Sequence, residues 1–250
     1  MINKKDIPTK CSFLLSEWKR NLNLTNYERT KFENVLKQID FQIKKLEKKE
    51  LQISVYGRVG VGKSSLLNAL IEKQIFSTDI LNGNTKEPKS YTWDKRFKSL
   101  NKVKLTDLPG IDELKNINKE KNNFNYVVDT DLILFVIDSD INRIDLNSIK
   151  ELLRHKKPIL LVLNRCDQWD TKETKLILSS IHRKLSFCKK KVKISLVSSS
   201  PREAKIKQNG TVRSEQKMPK VDILKNELKD VINQSGELLL CINSLRIADQ

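Results

Sequence analysis

The sequence predicts an α/β fold, a three-layer αβα sandwich on a mostly parallel six-stranded sheet with one antiparallel edge strand. Three observations predict it. From residue 51 onward, short apolar runs of strand length alternate with amphipathic, helix-length segments. Two of the runs, Leu132 to Ile137 and Ile159 to Leu163, are apolar throughout, the pattern of parallel strands covered on both faces. Between a strand and a helix stands Gly57-Arg58-Val59-Gly60-Val61-Gly62-Lys63-Ser64-Ser65, which spells G-x-x-x-x-G-K-[ST].

Residues 1–50 read as a basic helical extension. From Asn26 to Glu50, Phe32, Val35, Leu36, Ile39, Ile43 and Leu46 recur near helical spacing, with lysines on the other face. Such a stripe packs on its own domain or lies against a membrane or partner helix. Strands are expected near 51–56, 90–97, 102–107, 131–138, 158–163 and 192–198, and helices near 63–73, 113–129, 145–154, 171–186 and 221–232. The short gap after the second strand suits a hairpin, which makes that edge antiparallel. Glu203 to Lys220 is polar, carries Gly210 and Pro219, and reads as a mobile surface loop. Ser235 to Gln250 reads as one more helix. The domain reading is a nucleotide domain over 51–235, with 236–250 a C-terminal helix or the start of a further domain.

At 250 residues the chain has room for one large α/β domain. Four scattered cysteines, Cys11, Cys166, Cys188 and Cys241, form no C-x-x-C pair and read as reduced thiols of a cytoplasmic protein. A secretory signal and a spanning apolar stretch are not expected. The net charge of +17 favours anionic partners, nucleic acid, ribosome or anionic lipid, but the lysines are spread rather than gathered in one arm. Aromatics are only 6%, too few for a stacking platform for single strands.

The glycine loop is a phosphate cradle, a P-loop. Its glycines let backbone N–H groups curl around a phosphate chain, and the following helix N-terminus adds donors and positive dipole. Lys63 reaches the β- and γ-phosphates, and the Ser64 hydroxyl ligates Mg²⁺. Asp107-Leu108-Pro109-Gly110 ends a strand; Asp107 holds Mg²⁺ through water, and the Gly110 N–H touches the γ-phosphate. Asn164-Arg165-Cys166-Asp167 also ends a strand. Guanine presents N1–H and an amino group side by side, and a carboxylate such as Asp167 accepts both; adenine would leave it unpaired. Asn164 bridges base and P-loop. In Ser198-Ser199-Ser200 a backbone N–H can face guanine O6. Between P-loop and Asp107, a threonine is needed on Mg²⁺. Thr78, Thr85 and Thr92 are available, and Thr85, in Asn82-Gly83-Asn84-Thr85-Lys86, has the best loop context.

These residues, in this order, resemble the Era-like branch of the translation-factor-related P-loop GTPases. The resemblance covers about residues 50–200 and rests on Gly57 to Leu70, Asp107 to Ile111 and Asn164 to Asp167. More narrowly, Ile75-Phe76, Gly83-Asn84-Thr85 and Trp93 look like bacterial, often cyanobacterial, GTPases that carry a C-terminal hydrophobic domain of unknown function. The resemblance implies GTP binding and hydrolysis as a switch, with Mg²⁺ on Ser64, Thr85 and Asp107, and Lys63, Thr85 and Gly110 at the γ-phosphate.

Three departures matter. Arg165 stands where the family usually has Lys, and its planar guanidinium can still stack on the purine. Gly60 stands where many Era-like members have an Asn that helps bind an activating potassium ion, which puts potassium dependence in doubt. Ile111 cannot orient water, so slow turnover is expected, accelerated by a partner, a nucleotide-dependent dimer or a repositioned loop. Arg58 and Arg96 are the candidates for an arginine finger. Two alternatives stand beside the switch reading: an RNA- or ribosome-binding assembly GTPase, and a peripheral GTPase on an anionic membrane surface.

Overall fold

The computed structural model describes residues 6–78, 87–111, 127–188, 192–206 and 212–249. Three N-terminal helices come first: α1 (Ile7–Arg20), α2 (Asn26–Lys31) and α3 (Glu33–Glu47). The sheet then builds from β1 (Glu50–Tyr56), β2 (Lys89–Thr92), β3 (Lys102–Asp107), β4 (Leu132–Ile137), β5 (Ile159–Leu163) and β6 (Ile194–Leu196). Helices α4 (Lys63–Ile71), α5 (Arg143–Arg154) and α6 (Thr171–Lys184) connect it. A hairpin, β7 (Arg202–Ile206) and β8 (Val212–Gln216), precedes the long α7 (Asp222–Ala248).

Strand order is β2-β3-β1-β4-β5-β6, parallel throughout except β2, which pairs antiparallel with β3. Two-residue periodicity divides the core. In β4 every residue is buried: Leu132, Leu134 and Val136 face the layer containing α4 and α7, while Ile133, Phe135 and Ile137 face α5 and α6. Local signals fix the helix starts. Asn142 with Asp145, and Asp170 with Glu173, form capping boxes that open α5 and α6.

The N-terminal extension is helical and packed. Ile39, Ile43 and Leu46 of α3 are buried, whereas Phe32 and Val35 are exposed because the helix breaks at Phe32, where α2 ends and α3 begins. Lys45 of α3 reaches Asp131 at the foot of β4 at 2.9 Å, and Asn243 of α7 donates to the same carboxylate at 2.9 Å. Helix α3 and the last helix are thus tied to one acidic residue beneath the sheet.

Four expectations are corrected. The edge strand stops at Thr92 rather than continuing to 97, because the Trp93 ring turns into the core against Phe97. The loop expected over 203–220 is largely the β7–β8 hairpin, with cross-strand pairs Lys205–Glu215 at 2.5 Å and Lys217–Glu203 at 2.6 Å. The two helices expected over 221–232 and 235–250 are one helix of 27 residues, about 40 Å long. It runs through Gly236 because a side chain there would meet Leu100 Cδ1 at 2.8 Å, so the glycine serves close packing rather than a stop. The helical stripe expected across 26–50 is split at Phe32 into α2 and α3. Of the helix expected near 113–129, residues 113–126 lie outside the described residues, as does Thr85.

Candidate functional site

The P-loop joins the carboxyl end of β1 to α4, on the rim where ligands sit in parallel α/β sheets. Gly62 has φ +90°, and a Cβ on it would lie 2.4 Å from Asn164 Nδ2, so only glycine lets the loop pass that amide. Lys63 is buried, and its ammonium donates to the carbonyls of Gly57 at 3.1 Å and Arg58 at 2.8 Å. The Ser64 hydroxyl donates to Asp107 Oδ2 at 2.5 Å. Hydroxyl and carboxylate oxygens side by side are the hard donors Mg²⁺ takes.

Gly110 crosses the P-loop so closely that a Cβ would meet Val59 Cγ2 at 2.4 Å. The next N–H, of Ile111, donates to Gly57 O at 3.2 Å, and the Ile111 side chain packs on the core, where it cannot hold a water.

Base recognition comes from the ends of β5 and β6. Asn164, buried, donates through Nδ2 to Val61 O at 2.9 Å and Ser199 Oγ at 3.0 Å, and its Oδ1 accepts the Ser199 N–H at 3.0 Å. It therefore locks P-loop to serine loop. The Asp167 N–H donates to Ser198 Oγ at 3.0 Å, and its carboxylate is exposed. Asp167, Asn164, Gly62, Ser65, Ser199 and Ser200 line one open cavity of 530 Å³, with Arg165, Thr78 and Arg202. Thr92, the third threonine candidate, is spent in β2.

Two acidic residues that the motifs did not point to hold the site's arginines. Asp138 accepts from Arg58 at 3.3 Å and Arg165 at 3.0 Å. Fully buried Asp145 accepts Arg58 Nε at 3.1 and 3.2 Å while capping its own helix. Arg165 also donates to Gly60 O at 2.5 Å. The arginine finger expectation fails for Arg58, whose guanidinium is consumed within the fold. It fails in cis for Arg96, which lies in the β2–β3 connection at the opposite end of the sheet. The capping box Asn142-x-x-Asp145 directly after a strand was the sequence signal for Asp145.

The family model described as 50S ribosome-binding GTPase matches residues 52–165. A probable GTP-binding protein EngB of Protochlamydia amoebophila is 34% identical over 150 residues, 54% of this chain and 68% of that protein. The chain belongs to the Era-like P-loop GTPases. A GTPase Era of Lactobacillus helveticus is 31% identical over 57% of this chain and 48% of that protein, so the chain spans about half the length of that relative. A solved Era structure holding MgGDPNP and nucleotides 1506–1542 of 16S ribosomal RNA superposes with a TM-score of 0.54, over 72% of this chain and 56% of that one, at 19% identity, a likeness of fold. Like other Era-like GTPases, the chain binds GTP and hydrolyses it.

Proposed function

We propose that the chain is a Mg²⁺-dependent guanine-nucleotide switch whose two sensing segments, the one carrying Thr85 and the one carrying Gly110, relax when the γ-phosphate leaves. The observation that carries this reading is the P-loop's direct attachment to both other motifs. Ser64 touches Asp107 at 2.5 Å, and the Val61 carbonyl accepts from Asn164 at 2.9 Å. A phosphate chain in the loop is thus sensed at the Asp107–Gly110 segment while the base is read at Asp167.

Residue roles follow from chemistry. The P-loop N–H groups and the Lys63 ammonium stabilise charge on the phosphates as water attacks in line. Ser64 and Asp107 would hold Mg²⁺, which would neutralise charge on the phosphates. Asp167 accepts the two guanine donors, and the Ser198–Ser200 turn flanks O6. Arg165, held between Asp138 and Gly60, forms a wall of the base pocket. Ile111 leaves the attacking water to be positioned from outside, which supports a slow intrinsic rate. The test is single-turnover hydrolysis with and without Mg²⁺: a slow, Mg²⁺-dependent release of phosphate from GTP and none from ATP supports the reading, and equal release from both overturns it.

A second reading, an RNA- or ribosome-bound switch, is favoured by the net charge of +17. Binding to ribosomal RNA that falls steeply with salt supports it; none at low salt removes it. Four free thiols support a cytoplasmic setting. No helix among the described residues is long and apolar enough to cross a membrane.

A further inference from the structure

The β7–β8 hairpin lies outside residues 52–165 that the family model covers, yet it is anchored to the base-reading loop. Ser198 and Lys220 exchange backbone hydrogen bonds at 3.1 and 2.8 Å, and the Lys217 N–H donates to Pro201 O at 2.9 Å. The hairpin root is therefore fixed beside Ser199 and Ser200. Its first residue is Arg202.

Arg202 lines the 530 Å³ cavity that holds Gly62 and Asp167. It also lines an adjoining 900 Å³ cavity over α4, bordered by Asn68 and Lys225. The residues common to both are Ser65, Thr78, Ser199, Ser200 and Arg202. That strip runs between the base reader and the start of the P-loop helix. A nucleotide with its base on Asp167 and its phosphates on the loop lays its ribose and α-phosphate along the strip.

A guanidinium there is a permanent charge with a planar fork of donors, matched to two oxygens of one phosphate. The hairpin's own carboxylates are engaged elsewhere, Glu203 by Lys217 at 2.6 Å and Glu215 by Lys205 at 2.5 Å. Among the described residues Arg202 makes no ion pair. We propose that Arg202 is a nucleotide-binding residue that clamps the α-phosphate from the hairpin root, an inference that rests on the guanine-nucleotide reading above. The hairpin then couples nucleotide occupancy to the start of α7, because Lys220 is paired with Ser198 and α7 begins at Asp222.

The test is displacement of a fluorescent GDP from the full chain, with Mg²⁺ at fixed ionic strength, by GDP, a non-hydrolysable GTP analogue and GMP. Arg202→Ala should weaken all three by a similar factor, roughly 10- to 100-fold, because the α-phosphate is common to them. Arg202→Lys keeps the charge but loses the fork and should fall between. Lys205→Ala, farther along the hairpin, should change nothing, and the melting curves of all variants should overlay. Affinities within twofold of wild type for Arg202→Ala, or a loss confined to the GTP analogue, overturn the clamp. If the wild-type chain itself binds none of the three, the guanine reading falls, and the clamp with it.

Discussion

Asp131→Ala should be the most damaging single change far from the nucleotide. The carboxylate is fully buried at the foot of β4. It accepts the Lys45 ammonium at 3.1 and 2.9 Å, the Gln52 N–H at 2.8 Å and the Asn243 amide at 2.9 Å. Alanine leaves Lys45, 3% exposed, without its ion-pair partner and held by the Asp129 carbonyl at 2.7 Å. Removing one partner of a buried ion pair costs about 3–5 kcal/mol. The two lost neutral donors overlap with that figure rather than adding to it, because a water entering the gap serves all three. A loss of about 4 kcal/mol lowers the melting temperature by about 8–16 °C in a chain of this size. Urea unfolding followed by circular dichroism reads it. The double change Lys45→Met with Asp131→Leu removes both charges and should recover most of the loss. GDP affinity of folded Asp131→Ala should stay within a few-fold of wild type, since the cluster lies at the opposite end of the strands from the P-loop. A loss below about 1 kcal/mol would refute the reasoning, because Lys45 would then be solvated and α3 would not be seated on the sheet.

Other outcomes follow from the same geometry. Lys63→Ala should weaken GDP and GTP binding at least about 100-fold, measured by nucleotide titration, because no other ammonium lies within the P-loop. Asp167→Asn replaces a double acceptor with one acceptor and one donor; GDP affinity should drop about 100-fold, and xanthosine diphosphate, which has a carbonyl where guanine has its amino group, should bind better than GDP. Lys157 donates to the carbonyls of Val128 and Thr130 and to Asn243, and burial pushes its ammonium down to about 8. The unfolded chain holds that proton up to about 10.4, so between those values it binds more protons and stability rises with pH. Wild-type stability relative to Lys157→Met should therefore climb from pH 8 to 10, by at most about 1.4 kcal/mol per unit. A flat difference over that window would contradict it.

The sheet was readable because its signals are local. Continuous apolar runs mark β4 and β5, and G-x-x-x-x-G-K-[ST] marks the turn between β1 and α4. What escaped was either a weak local signal or a tertiary one. The β7–β8 hairpin is mostly polar, so it carries little of the apolar alternation that marks a strand. The helices expected over 221–232 and 235–250 are one, and burial against Leu100 makes Gly236 within it a packing residue. The start of α1 was marked by Asp6, whose side chain caps Thr9, with Pro8 in the first turn. No spacing rule could place Asp138 between Arg58 and Arg165, since the three come from different strand ends. That network decides which arginines are spent on the fold and which can meet a nucleotide.

The central claim is that Asn164, Asp167 and Ser199 make the P-loop's nucleotide a guanine nucleotide. Calorimetric titration of nucleotide-free protein with GDP, a non-hydrolysable GTP analogue and the matching ATP analogue, each with Mg²⁺, tests it most directly. Binding of the two guanine nucleotides with no heat from the ATP analogue is the predicted result. Equal binding of the ATP analogue would contradict it, because Asp167 would then not be reading the base.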